Sequence, residues 1–170
     1  MGADDDVLRE FGTDLARDAM STVAPGELDI FDDVAEEYWA DPDAAVASDH
    51  RDEQLGFGIE LAMLAPFAIA VATGVGKFLL ELFASALADE AKPLLSAKLR
   101  ALLRRKSPTS GPSPLTPAQF AQVRTVALET AQRLGLATET AHLLSDAIVG
   151  GLVPPQASPS GSPADGRPAS

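Results

Sequence analysis

LAMLAPFAIAVATGVG, residues Leu61 to Gly76, carries no charged side chain, and Glu60 is the only charge between Leu55 and Gly76. How this run is buried decides the fold. As an α-helix the sixteen charge-free residues extend about 24 Å, short of the roughly 30 Å of a bilayer's hydrocarbon core. Adding Phe57 on one side, or Phe78 to Leu80 with Lys77 reaching toward the interface, closes the gap. Five alanines, Pro66, Gly74 and Gly76 lower the apolarity, yet Gly and Pro are tolerated in membrane helices and small residues let helices approach closely. The balance favours a membrane span, with a buried core helix as the alternative.

Past Gly76 the pattern becomes two-faced. On a continuous helix, Glu60, Lys77, Glu81, Ser85, Asp89 and Lys92 share a sector of about 120°. A solvated stripe is the simpler account. A polar seam of Glu60, Lys77 and Glu81 that joins copies or lines a water-filled path is the sharper one. Pro93 restarts the helix, after which Leu94, Leu95, Leu99, Leu102 and Leu103 oppose Lys98, Arg100, Arg104, Arg105 and Lys106. Those five cations suit an anionic membrane surface, and positive-inside logic then puts the C-terminal part in the cytoplasm. They equally suit docking on the acidic N-terminal helices.

Upstream, Val7, Leu8, Phe11, Leu15, Ala19, Met20 and Val23 recur at helical spacing, predicting an amphipathic helix over roughly residues 4–23 that Pro25-Gly26 ends. Leu28, Phe31, Val34, Ala35, Tyr38 and Trp39 fit a second helix whose other face carries Asp29, Asp32, Asp33, Glu36 and Glu37. That cluster lacks the central Gly of a calcium loop and reads as a solvated face. Tyr38 and Trp39 read as core, or as membrane-interface anchors. Asp41 before Pro42 looks like the N-cap of a third helix.

Downstream, Ser107 to Pro117 is a Ser/Pro/Thr linker. Thr116-Pro117-Ala118-Gln119 supplies an N-cap, a first-turn proline and a capping-box glutamine, and Gly135 a helix stop. Phe120, Val123, Ala127, Leu128, Ala131 and Leu134 form one apolar face, and Ala141, Leu144, Ala147, Ile148 and Gly151 another. The pair predicts an αα-hairpin that needs a partner surface, because two short helices bury little alone. Val153 to Ser170, dominated by Pro, Ser, Ala and Gly, predicts disorder.

Charge is segregated. Residues 1–60 hold 18 Asp/Glu against Arg9, Arg17 and Arg51, whereas residues 77–106 hold seven Lys/Arg against three acids. So acidic an end repels nucleic acid, and Arg124 and Arg133 are too sparse for a helix-turn-helix reader. Cysteine is absent, which removes disulfides, thiolate metal sites and cysteine nucleophiles. His50 and His142 lack a partner at metal-site spacing and read as surface residues. The acidic start, Met1 to Asp6, argues against a signal peptide and against myristoylation at Gly2. Gly74-Val75-Gly76-Lys77 resembles the end of a phosphate loop, but Val71 replaces its first glycine and Phe78 its Ser/Thr. With no nucleophile elbow or Ser-His-Asp set, no catalytic residue, cofactor or metal is expected.

The Ala-rich, Lys-poor composition and the run from Thr116 to Leu152 resemble small uncharacterised actinobacterial α-helical proteins. The likeness covers about a fifth of the chain and implies no activity or functional residue. The sequence thus predicts an all-α fold: a small helical bundle with one long apolar helix, a basic amphipathic helix and a C-terminal αα-hairpin. Its segments are 1–54 acidic, 55–106 apolar plus basic, 107–117 linker, 118–152 hairpin and 153–170 tail. The expected function is non-enzymatic: a membrane-anchored interaction protein that contacts anionic lipid and a protein partner or itself. The alternatives are a soluble adaptor or oligomer subunit with residues 55–88 as its core, and a pore-forming effector.

Overall fold

The structure, a computed structural model, describes residues 3–48, 63–86, 97, 99 and 115–153. These contain six α-helices and no strand: α1 Ala3–Val23, α2 Phe31–Ala40, α3 Pro42–Ser48, α4 Ala65–Ala86, α5 Pro117–Arg133 and α6 Thr138–Leu152. The all-α bundle is therefore as the sequence predicts.

Several helix ends follow from local chemistry. A 3-10 turn, Pro25–Glu27, follows α1 at the Pro-Gly pair. The Asp41 carboxylate accepts the Ala44 N–H at 3.0 Å, capping α3. At α5 the capping box closes both ways: the Gln119 N–H donates to Thr116 Oγ1 at 3.3 Å, and the Thr116 N–H donates to Gln119 Oε1 at 2.8 Å. Gly135 ends α5 at φ 86°, a left-handed conformation that glycine adopts without steric cost. The Leu136 N–H then reaches back to the Ala131 carbonyl at 3.2 Å.

The charge-free run is not one helix. Met63 and Leu64 lie outside α4, and Pro66 is its second residue, where a missing N–H costs nothing. The freed N–H groups of Leu64 and Ala65 are taken by Glu27, whose Oε1 and Oε2 accept at 3.0 and 2.9 Å. A carboxylate from the turn after α1 thus caps the apolar helix.

Close contacts fix the directions of the helices. Gly12 of α1 lies against Thr73 of α4, and Gly76 lies against Leu8 and Phe11, so α1 and α4 run antiparallel. Gly151 near the end of α6 meets Leu15 and Asp18 of α1, and Gly74 meets Thr130 of α5. The α5–α6 hairpin is tied across by an Arg124–Asp146 ion pair at 2.7 Å. Neighbouring helices in the ring α1, α4, α5, α6 therefore alternate in direction, an up-down-up-down four-helix bundle. The hairpin finds its partner surface in α1 and α4 of its own chain.

Helix α4 is apolar nearly all round because it is covered on more than one side. α1 and α5 flank it, and α2 and α3 lie over it. Ala65, Ala68, Ile69, Val71, Ala72, Val75 and Leu79 are fully buried, while Lys77, Glu81, Ala84 and Ser85 form the exposed stripe. Stretch Ala65–Ser85 is long and apolar enough to cross a bilayer, and more than half of it is buried by the chain itself. Leu99 and Leu115 belong to the same core.

Candidate functional site

Of the residues singled out for chemistry, Lys77 and Glu81 sit on the exposed stripe of α4. They form no ion pair among the described residues. Glu60 of the polar seam and the membrane-surface set Lys98, Arg100, Arg104, Arg105 and Lys106 lie outside the described residues, as does His50. His142 is exposed on α6. Two constellations of side chains lie elsewhere on the bundle.

The first joins α1, α2 and α4. Arg9, Thr13 and Arg17 fall at i, i+4 and i+8 on α1, one stripe of the helix. The Arg17 guanidinium lies 4.7 Å over the Phe31 ring and pairs with Asp32. The Trp39 indole N–H donates to Thr13 Oγ1 at 3.0 Å, and Arg9 lies 5.6 Å over the same indole. Tyr38 packs edge-on to Trp39 at 5.1 Å and hydrogen-bonds Thr73 of α4. The Thr73 hydroxyl donates to the Ile69 carbonyl at 2.7 Å, so this buried polar node is satisfied within the protein. Burial raises the Tyr38 phenol above its ordinary 10.0, opposed by the Thr73 hydrogen bond and reinforced by Asp43. A phenol so held stays neutral at physiological pH and links α2 to α4. The sequence pattern suits Tyr38 and Trp39 to a core or a membrane interface and does not single out the cations that lie over Trp39 and Phe31. The signal was present in the i, i+4, i+8 spacing of Arg9, Thr13 and Arg17.

The second constellation is a surface groove of about 460 Å³ between α1 and α6, lined by Asp18, Ser21 and Thr22 on one side and Leu143, Asp146, Ala147, Gly150 and Gly151 on the other. Gly151 packs closely on α1: a Cβ there would stand 2.9 Å from Asp18 Oδ2 and 3.0 Å from Leu15 Cδ1. Gly150 does not, since its Cβ would meet nothing within 4 Å. Leu143, at 54% exposure, is the most exposed large apolar side chain among the described residues. Leu143, Ala147 and Gly150 lie at i, i+4 and i+7, so the groove floor is a narrow apolar strip edged by carboxylates. Such a surface can bind, and among the described residues no group of three or more His, Cys, Asp or Glu side chains gathers to hold a metal ion. No protein-family model matches the sequence, and neither a curated protein nor a solved structure is significantly similar to it.

Proposed function

We propose that this chain is a non-enzymatic α-helical interaction module that folds as a self-contained bundle and uses its apolar helix as the core. The observation that carries the reading is the enclosure of α4. Seven of its side chains from Ala65 to Leu79 are fully buried against the chain's own helices, and its first N–H groups are capped by Glu27. Burying apolar side chains in protein removes them from water as effectively as lipid does, so a bilayer is not needed to stabilise the helix. In this reading the basic segment with Lys98, Arg100, Arg104, Arg105 and Lys106 serves the chain's own fold, through the burial of Leu99, rather than a lipid headgroup layer.

Membrane anchoring is the second reading, favoured by the length and apolarity of Ala65–Ser85. Fractionation of the native protein separates the two. A soluble, monodisperse species recovered without detergent supports the module. Retention in membranes through a carbonate wash, with release only by detergent, supports the anchor.

A further inference from the structure

We infer that the groove between α1 and α6 is a docking site for a cationic amphipathic helix of a partner protein, an inference that rests on the interaction-module reading. In the last turn of α6, Gly151 packs against Leu15 and Asp18 of α1, whereas at Gly150 no atom lies within 4 Å of a Cβ position. What Gly150 does is keep the groove floor open beside Ala147 and the exposed Leu143. A strip of this kind, set between two helices, matches the way an amphipathic helix lays its apolar anchors into a groove.

Charge chooses among the possible occupants. The strip is edged by Asp18 on α1 and Asp146 on α6, with Glu139 exposed one turn before Leu143 and a strongly acidic N-terminal segment in the same chain. At the α6 edge, Arg124 pairs with Asp146, and both side chains are about half exposed. A second copy docking through the same face would set carboxylates against carboxylates. An anionic lipid surface would be repelled in the same way. Lysines or arginines flanking an apolar stripe complement both the edges and the floor.

The test uses the full-length protein and two fluorescein-labelled peptides followed by anisotropy. One is two copies of Leu-Lys-Lys-Leu-Leu-Lys-Leu, and the other has the same composition scrambled to destroy the stripe. The amphipathic peptide should bind about tenfold tighter than the scrambled one, a difference worth about 1.4 kcal/mol. Gly150→Leu, whose Cβ would meet nothing within 4 Å, and Leu143→Gln, at an already exposed position, should each cost about five- to tenfold in affinity. Both variants should keep the wild-type melting temperature or exceed it. The pair Asp32→Asn and Asp33→Asn on α2, outside the groove, should change binding less than about twofold. Equal binding of the two peptides, or equal loss from the α2 and groove variants, would reduce the effect to net charge and overturn the proposal. So would concentration-dependent dimerisation that Gly150→Leu abolishes. A protein that stays soluble but fails to discriminate the peptides sinks only this inference, whereas one that needs detergent sinks the module reading first.

Discussion

Replacing Gly12 by alanine tests the helix pair on which the bundle is built. The new Cβ would stand 2.6 Å from Thr73 Oγ1 and 3.5 Å from the Thr73 backbone. Thr73 cannot move aside freely. Its β-branched side chain has few rotamers, it is buried, and its hydroxyl is held by the Ile69 carbonyl and by Tyr38. Either α1 and α4 separate by a fraction of an ångström, loosening Phe11 and Leu15, or Thr73 rotates and the hydrogen bonds around it break. Overpacking of this kind costs about 1–3 kcal/mol, and the higher helix propensity of alanine returns about 0.8–1 kcal/mol. The net expectation is a loss of up to about 2 kcal/mol. Gly150→Ala gains the same propensity with nothing to strike and should stabilise by about 0.5–1 kcal/mol. Urea unfolding followed by far-UV circular dichroism measures both changes. Adding Thr73→Ala should rescue Gly12→Ala, giving a favourable coupling of about 1 kcal/mol or more in a double-mutant cycle. If Gly12→Ala stabilises as Gly150→Ala does, or if the cycle shows no coupling, α1 and α4 do not meet at Gly12 and Thr73.

Glu27→Ala leaves the Leu64 and Ala65 N–H groups without their carboxylate and should cost about 1–2 kcal/mol; a melting temperature equal to wild type would disprove the cap. Tyr38 is the only tyrosine, so tyrosinate absorbance reports it alone, and its native midpoint should lie above the 10.0 of the unfolded chain. Because the folded value is raised, its contribution to stability is complete below about pH 10 and is lost as the pH rises through the folded value. In Tyr38→Phe that alkaline loss should vanish, as a urea midpoint measured against pH would show. If the polar seam conducts, wild-type protein will release dye from loaded liposomes and Glu60→Leu with Glu81→Leu will not; the module reading predicts no release from either.

The elements whose chemistry is local were readable in advance. Thr116 and Gln119, Asp41 before Pro42, and Gly135 each sit within a few residues of the groups they bond, and the faces of α5 and α6 follow the spacing of Val123, Ala127, Ala131, Leu144 and Ile148. What encloses α4 was not readable, for a physical reason. Lipid and a protein core select the same side chains, so composition from Leu61 to Gly76 cannot tell them apart. The deciding groups lie far off in sequence: Glu27 caps a helix that starts at Ala65, and Gly12 receives Thr73. Pro66, which as part of a longer helix looked like a defect, turns out to mark the helix start. The groove left only a faint trace, the Gly150-Gly151 pair inside a helical pattern. Sequence does not distinguish the glycine packed closely on α1 from the one beside open space.

Because the chain has no cysteine, single-cysteine labelling with a membrane-impermeant maleimide measures directly what covers α4. Ala72 is fully buried toward the bundle, and Ser85 is exposed on the outer stripe of the same helix. In detergent-free buffer, Ser85→Cys should react at the rate of a free thiol, while Ala72→Cys should stay protected until the protein is unfolded in urea. A protein in which Ser85→Cys is as shielded as Ala72→Cys, and which yields both only when detergent dissolves the membrane, would contradict the account.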